Sequence, residues 1–486
     1  MRSLSLAVAT WQHLEFAKWL QSKGEPVHGE ASANLIGEQP IHRASEAGFV
    51  EIVQWLLDNG AEAEPTEGAA WELGVRSPLM MACIEGHVEV VTLLMGVSAD
   101  VNAATHVGRE SALHLAAEAG QLECAKLLQA AGAAVDKKTT SGDTPATKAC
   151  ERGHLEVVTW LKAQGAKIKG VTNKAGETCL HLASESGSVE LVTWLLDEGL
   201  SVSAKTRQLG NSPLMCACAG GHVEVCRLLH ARGGKIKGKE SANKDGEQPI
   251  HQAARNGDPE LLLWLLAHGA ACDTPVSAQA MRQPIHFAVE GCGELEAVVV
   301  LADAGASLEV ADRDGDRPAH YAASGNELAI LKHLHAHGVS VDVGNKKMVR
   351  PMHLACANGN LEIVQWLHAE VGCALDAADK SGYLPMHYAA EECEFEIAKY
   401  LRSHGSTVDA KCKGGKTPLQ LVETNGVDAP PSQYLGKQVA NWLRGEMGLP
   451  RRWDDDDDES EDEQVENSWL SRLQSRELSY VSLLQA

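Results

Sequence analysis

The chain lacks the features that would place it in a membrane or among secreted, disulfide-bonded proteins. No run of 18 apolar residues occurs in its 486 residues, so no segment has the apolar length that a membrane-spanning helix needs. The opening MRSLSLAVATWQHLEFAKWL is broken by Gln12, His13 and Glu15 and does not resemble a secretory signal. The 13 cysteines are odd in number and include no C-x-x-C pair, which favours reduced thiols over a disulfide or zinc framework.

Phenylalanine and tyrosine are also scarce, with 4 and 6 copies, whereas tryptophan occurs 11 times. This imbalance indicates that one structural role uses tryptophan repeatedly. Basic residues are outnumbered, because 43 Lys and Arg stand against 66 Asp and Glu, a formal net charge of −23. An acidic chain of this kind is a poor general ligand for nucleic acid or anionic lipid, so we expect neither nucleic acid binding nor membrane insertion.

Repetition is what the sequence has in abundance. A four-residue anchor, such as SALH ending at His114, occurs twelve times with a period of roughly 34 residues. Ser or Thr at many anchors is a typical helix N-cap, and the Pro that usually follows suits a first helical turn. A short helix, a second helix with a broad apolar stripe and a stopping glycine complete each unit. The anchors end at His42, Met80, His114, Thr147, His181, Met215, His251, His286, His320, His353, His387 and Gln420.

These units resemble the ankyrin repeat, whose T-P-L-H-x-A-A-x-x-G pattern and period of about 33 residues the chain follows over roughly residues 1–445. The resemblance implies an all-α repeat solenoid, in which antiparallel helix pairs carry projecting β-hairpin loops that line a concave face. It also implies that the anchor histidines bond between neighbouring hairpins. We expect 1–36 to form an N-terminal capping helix pair and first loop, 37–446 the solenoid, 447–466 a disordered acidic linker and 467–486 a short amphipathic helix.

Three motifs resemble functional sites but fit the repeat better. AKCKGGKTP, residues 410–418, differs from a phosphate-binding loop by Ala410 in place of Gly, and it lies in register with the last anchor. DRDGDR, residues 312–317, begins like a calcium loop, yet Ala323 stands where the bidentate Glu belongs. HLHAHG, residues 333–338, sets His333 and His337 one turn apart with no third metal ligand nearby. We therefore expect no catalytic residue, no metal and no cofactor.

Six tryptophans share one slot in the second helix of their repeats. An aromatic residue that recurs in one structural slot is expected to pack between repeats rather than to line a ligand cage. The six are Trp19, Trp55, Trp160, Trp194, Trp264 and Trp366.

Basic residues concentrate in the projecting loops, chiefly in three consecutive ones, and these are the candidate partner-binding residues. On so acidic a chain the clusters favour a partner with an acidic surface, while the alternative is that exposed loops collect lysine for solubility. The candidates are Lys167, Lys169, Lys174, Lys205, Arg207, Lys235, Lys237, Lys239, Lys346 and Lys347.

The C-terminal segment differs in character from the repeats. Residues 454–466 hold 10 acidic side chains and no basic ones, and we expect them to contact the nearby loop lysines weakly and in a salt-dependent manner. The following SWLSRLQSRELSYVSLLQA has helical apolar spacing, and it either docks on a partner groove or folds back as a further cap.

The function that fits best is a non-enzymatic scaffold or adaptor, monomeric, that binds a protein partner on its concave hairpin face. One alternative is an inhibitory or substrate-receptor ankyrin protein. Another is a truncated part of a larger ankyrin-containing enzyme or channel. We expect the cytoplasm as its location, with the nucleus as the alternative.

Overall fold

The structure is a computed structural model that describes residues 14, 18, 21, 22, 38–63, 76–97, 99–277, 280–291, 293–426 and 433–453. The chain divides into two compact units, Met1–Ala271 and Cys272–Ala486. Regular elements in the described ranges are helices, and β pairing there is limited to an isolated bridge between Ala104 and Ser111. The predicted all-α repeat architecture is confirmed.

Unit 1 contains seven helix pairs in the part that the structure describes, and the members of each pair follow one another directly in sequence. They are α1 Pro40–Glu46, α2 Val50–Asp58, α3 Pro78–Glu85, α4 Val88–Gly96, α5 Ala112–Glu118, α6 Leu122–Ala130, α7 Pro145–Glu151, α8 Leu155–Ala163, α9 Cys179–Ser186, α10 Val189–Asp197, α11 Pro213–Ala219, α12 Val223–Ala231, α13 Pro249–Asn256 and α14 Pro259–Ala267.

The described residues of unit 2 contain four further pairs and a modified final repeat. The pairs are α15 Pro284–Glu290, α16 Leu295–Asp303, α17 Pro318–Gly325, α18 Leu328–Ala336, α19 Pro351–Ala357, α20 Leu361–Ala369, α21 Pro385–Glu391 and α22 Phe395–Ser403. The final repeat has α23 Pro418–Leu421, a π-helical turn Val422–Gly426 and α24 Gln433–Glu446. Within the described ranges, no helix has both the length and the apolarity required to cross a bilayer.

The first helix of each pair begins at the anchor, as the sequence predicts. The Ser77 hydroxyl accepts the backbone N–H of Met80 at 3.3 Å, and the Thr144 hydroxyl accepts that of Thr147 at 3.3 Å. These bonds satisfy amide groups that have no partner inside the helix, and the Pro at the next position lacks an N–H to satisfy.

The second helices bury one face and leave the other in solvent. In α2, Ile52, Val53 and Leu56 are buried, while Trp55 and Leu57 of the predicted stripe are only half-buried. Gly60 follows the helix at a φ of 91°, a left-handed conformation that favours glycine and stops the helix. The twelve described cysteines are free thiols, and all except Cys272 are buried.

In the described ranges the projecting loops are tight turns closed by an antiparallel bond, such as Asn173 N–H to the Glu177 carbonyl at 3.2 Å. The predicted β-hairpins are therefore too short to form strand ladders. The turns instead bond to one another, because the amide of Lys174 donates to the Ser141 carbonyl of the preceding loop at 2.7 Å. These bonds hold the tips of neighbouring loops side by side.

The chain continues past α24 in an ordered turn. The Asn441 amide donates to the Trp453 carbonyl at 2.8 Å, and Arg444 Nε donates to the Pro450 carbonyl at 2.6 Å. Arg444 also pairs with Glu423 of the π-helical turn at 2.6 Å. The acidic run 454–466, the segment 467–486 and Trp19 lie outside the described residues, as does nearly all of 1–36.

Candidate partner-binding surface

The anchor histidines are buried and are used by the fold. Nδ1 of His114 accepts the backbone N–H of Ser111 at 3.1 Å, and its Nε2 donates to the Lys137 carbonyl of the next loop at 2.9 Å. His353 repeats the arrangement with Arg350 N–H at 3.0 Å and the Ala377 carbonyl at 2.9 Å. The ring thus links the N-terminus of its own helix to the loop that leads into the following repeat, as the family resemblance implies.

This geometry requires a neutral ring, since Nδ1 must be free of a proton to accept the amide. Burial lowers the pKa of His42, His114 and His181 to about 4. Burial likewise lowers the pKa of His286 and His353. At neutral pH these rings are uncharged and serve as structural links.

The P-loop-like segment is a repeat turn in the structure. The Cys412 amide donates to the Lys416 carbonyl at 3.0 Å, and this bond closes the turn. The Thr417 hydroxyl, which would hold magnesium in a true P-loop, accepts the Gln420 amide at 3.3 Å and caps α23. The prediction that the likeness is accidental agrees with this geometry.

The calcium-like segment is also a turn. One carboxylate oxygen of Asp312 accepts the backbone N–H groups of Asp314 at 2.9 Å and Asp316 at 2.8 Å. The other oxygen accepts the Tyr321 hydroxyl at 2.8 Å. Asp312 is occupied by its own loop, as the hairpin-turn interpretation predicts.

The histidine pair of α18 lies at an exposed helix end. The His333 and His337 ring centroids are 4.1 Å apart, and Nδ1 of His337 contacts the His333 carbonyl at 2.8 Å. Across the described residues, no three His, Cys, Asp or Glu side chains gather into a metal-binding group.

The described slot tryptophans are half-buried, and Trp194, Trp264 and Trp366 contact the preceding repeat. The Lys162 ammonium of α8 lies 5.3 Å from the Trp194 ring centroid. His230 meets Trp264 edge-on at 5.7 Å. These contacts confirm the predicted packing between repeats, although part of each ring remains in solvent.

All ten candidate cations are exposed. Eight of them lie in unit 1, in the three loops that precede α9, α11 and α13, whereas Lys346 and Lys347 lie in unit 2. None of the ten forms an ion pair with an acidic residue in the described ranges, although the carboxylates there are numerous.

The candidates differ in what their side chains contact. Lys205 Nζ donates to the Ala242 carbonyl of the next loop at 3.0 Å. A Cβ placed on Gly199 would lie 3.6 Å from Lys169 Nζ, so this ammonium sits beside the C-terminal end of α10, where a cation is favourable. Lys237 is placed equivalently beside Gly269 after α14. These three cations make contacts within the fold. The interpretation that loop lysines serve only solubility does not account for such contacts.

One slot at the loop tip carries a cation in consecutive repeats of unit 1. The amide in this slot donates to the preceding tip: Lys174 to Ser141 at 2.7 Å, Arg207 to Ala175 at 2.7 Å and Lys244 to Leu209 at 2.8 Å. A Cβ on Gly176 would collide with the Arg207 backbone, so glycine permits the close approach of these tips. Lys174, Arg207 and Lys244 are called the unit 1 tip cations below.

Unit 2 has the same arrangement over four consecutive repeats. The slot amides donate to the preceding tips: Arg313 to Ala280, Lys346 to Asp314, Lys380 to Lys347 and Lys413 to Ser381, at 2.8 to 2.9 Å. Arg313, Lys346, Lys380 and Lys413 are called the unit 2 tip cations below. They are exposed, and none forms an ion pair within the described part of the chain.

The sequence interpretation missed this regularity. It includes Lys174, Arg207 and Lys346 among the candidates but not Lys244, Arg313, Lys380 or Lys413. Each turn opens with Asn, Asp, Thr or Cys, and the tip cation directly follows that residue. The regularity becomes visible when the loops are aligned on this opening residue instead of on the anchor.

Cations on the helices behave differently from those at the tips. Lys126 pairs with Glu123 at 2.6 Å, and Arg227 of α12 pairs with Glu260 of α14 at 3.1 Å. Lys399 pairs with Glu396 at 2.9 Å. The chain thus neutralises these helix-borne cations internally and leaves the tip cations available to another molecule.

Comparison with known families supports the repeat assignment. A family model described as "Ankyrin repeats (3 copies)" matches residues 70–139, 113–206, 201–276, 250–345, 285–379 and 352–427. A second model, "Ankyrin repeat", matches residues 37–66. Together the matches cover most of the chain.

Among solved structures, the crystal structure of the human ASB11 ankyrin repeat domain is similar, with 26% sequence identity and a TM-score of 0.40. The likeness covers 48% of this chain and 99% of that one. The comparison with curated proteins found no match.

Proposed function

Because this chain belongs to the ankyrin repeat family, whose repeats are generally protein-interaction modules, we propose that it is a non-enzymatic scaffold or adaptor. It binds a protein partner on the face formed by its projecting loops. The observation that carries this proposal is the series of exposed tip cations that have no ion pair among the described residues.

Three considerations support the loop face over the helical surface. Buried anchor histidines such as His114 and His181 are already used in bonds between repeats. Exposed helix cations such as Lys126 and Lys399 already have acidic partners, so a ligand there would have to displace an existing pair. Within each unit, backbone bonds link neighbouring tips, which lowers the entropy that a partner must overcome on binding.

Quantitative affinity purification of the full chain tests the proposal. One variant carries Thr at the unit 1 and unit 2 tip cations, and a matched variant carries Ala at the helix residues Lys126, Arg227 and Lys399. The amount of each specific partner recovered should be at least tenfold lower with the tip variant than with the wild-type chain, and unchanged with the helix variant. If no protein is retained specifically, or if both variants retain the same proteins, the proposal fails.

A further inference from the structure

The unit 1 tip cations form a row whose neighbouring loops are unusually basic. The three loops 164–178, 198–212 and 232–248 contain ten basic and five acidic residues. Two of the acids are already paired, Glu198 with Lys162 and Glu247 with Arg255. Of the bases, Arg232 is paired with Asp197 at 2.9 Å. The local surface is therefore cationic on a chain that is acidic overall.

The loops of unit 2 are less basic than those of unit 1, because 305–317, 338–350, 372–384 and 405–417 together contain nine basic and eight acidic residues. Arg313 lies between Asp312 and Asp314 and Lys380 follows Asp379, whereas Lys346 and Lys413 have no acidic neighbour in sequence. In unit 1, Lys174 and Arg207 have no acidic residue next to them in sequence, whereas Lys244 is followed by Asp245. Since exposed charges act mainly within a Debye length of about 8 Å, local composition rather than net charge decides what each row attracts.

The row also offers an apolar contact. Leu209 is 41% exposed at the tip, next to Arg207 and Lys244, and its carbonyl accepts the Lys244 amide. The unit 1 tips contain no aromatic residue in positions 140–141, 174–175, 207–209 and 244–245. Single-stranded nucleic acid binding commonly uses aromatic stacking, whereas a polypeptide can use both carboxylates and an apolar side chain. The tips therefore favour a polypeptide.

Spacing limits what that polypeptide looks like. Equivalent residues in neighbouring repeats are separated by about the distance between packed helices, 8–10 Å. A chain in the extended polyproline II conformation advances about 3.1 Å per residue and completes one turn in three residues, so residues three apart point to the same side and span one repeat. Carboxylates three residues apart would consequently meet successive tip cations.

We propose that the unit 1 tip cations Lys174, Arg207 and Lys244 bind an extended acidic segment of a protein partner, with carboxylates at every third residue and an apolar residue near Leu209. This inference rests on the proposed scaffold function and names the chemistry of its partner. Several weak exposed ion pairs act together, so the binding is multivalent and salt-dependent.

The test measures binding of a fluorescent synthetic peptide to the full chain by anisotropy in about 50 mM salt, a condition with little screening. The peptide has four Glu separated by two neutral residues, with one Leu. The binding variant is Lys174→Thr, Arg207→Thr and Lys244→Thr. Threonine suits this slot, because Thr140 occupies it in the preceding repeat and its amide donates to Gly108 at 2.8 Å. The matched control is Arg313→Thr, Lys346→Thr and Lys380→Thr.

We expect at least tenfold weaker binding in the unit 1 variant and less than a twofold change in the unit 2 control. A peptide of the same composition with contiguous Glu should bind the wild-type chain more weakly than the spaced peptide. Equal loss in both variants, no loss in the unit 1 variant, or equal binding of the two peptides would overturn the proposal. So would tighter binding of a 12-nucleotide single-stranded DNA at the same sites.

A single charge reversal tests the same contact even if the triple variant fails to fold. The Arg207→Glu variant should bind the Glu peptide more weakly than the wild-type chain does, and it should bind a peptide with Lys at the matching position. Failure of the Lys peptide to bind this variant would contradict the assigned contact. The outcome is separable from that of the scaffold proposal. If the peptide fails while proteins are still captured through the loops, only the acidic-segment inference is lost.

Discussion

The Lys244 ammonium donates a hydrogen bond to the backbone carbonyl of Arg207, the residue that occupies the same tip slot one repeat earlier. Lys346 makes the same contact with the Arg313 carbonyl in unit 2. A tip lysine can therefore join two loops and still present positive charge to solvent. Stability measurements distinguish a tip lysine that mainly joins two loops from one that mainly presents its charge to a partner.

We expect Lys244→Thr to change the free energy of unfolding by less than about 1 kcal/mol, because the bond is exposed and competes with water. Urea denaturation followed by circular dichroism measures the change, with Lys346→Thr as the matched variant. A loss above about 2 kcal/mol in either variant, well beyond the usual effect of a surface substitution, would assign the tip lysines chiefly to folding.

The anchor histidines predict a specific loss of stability in acid. Burial lowers the pKa of His42, His114 and His181 to about 4, below the ordinary value of 6.5 in the unfolded chain. Between pH 6.5 and 4 the unfolded state binds protons that the native state does not, so the free energy of unfolding falls as pH falls. At pH 5 each such histidine contributes a loss of up to ~2 kcal/mol.

His114→Gln provides the control for this pH effect. Gln420 occupies the anchor slot in the last repeat and its side-chain oxygen accepts the Thr417 amide at 3.0 Å, so glutamine can replace the Nδ1 contact. The difference in unfolding free energy between pH 7 and pH 5 should shrink in the variant. An unchanged difference would show that His114 does not titrate as its burial requires.

Trp194 predicts a moderate packing loss. Its ring is half-buried and lies beside the Lys162 ammonium, so Trp194→Ala should cost roughly 1–3 kcal/mol, less than the ~3–5 kcal/mol typical of a fully buried tryptophan. Chemical denaturation of the two proteins measures this. A loss below ~0.5 kcal/mol, the range of ordinary surface substitutions, would mean that the contact with the preceding repeat is not maintained in solution.

The acidic run 454–466 is expected to compete with acidic ligands for the nearest tip cations, which include Lys413. Removal of residues 454–486 should strengthen binding of an acidic peptide to the unit 2 tips at low salt. The difference should vanish by ~0.5 M salt, because screening then acts within a few ångströms. The truncation should begin after Trp453, since Asn441 holds the Trp453 backbone through bonds at 2.8 and 3.4 Å. Identical affinities at low salt would exclude this competition.

Local signals explain what the sequence predicts well. Anchors and stopping glycines recur at a fixed period, so helix starts such as Pro145 and helix stops such as Gly165 follow from caps and left-handed glycines. Burial of the anchor histidines follows from the family resemblance.

The tip slot was not predicted because it depends on bonds between loops of unequal length. The turn that contains Arg207 has one residue more than the turns that contain Lys174 and Lys244, which hides their equivalence in a plain reading. Lysine side-chain contacts were equally hidden, since Lys205 and Lys174 look alike in sequence while only Lys205 reaches the Ala242 carbonyl. The division between Ala271 and Cys272 likewise has no evident sequence signal.

The most direct measurement is a lysine-reactivity footprint of the full chain, with and without the partner recovered by affinity purification. Acetylation by an amine-reactive reagent is quantified by mass spectrometry at Lys174, Lys244, Lys346 and Lys380. The helix lysines Lys126 and Lys399, each paired with a glutamate at 2.6 and 2.9 Å, serve as internal references. Binding on the loop face predicts that tip lysines lose reactivity while both references keep theirs. Protection of Lys126 and Lys399 with unchanged tip lysines would contradict the account.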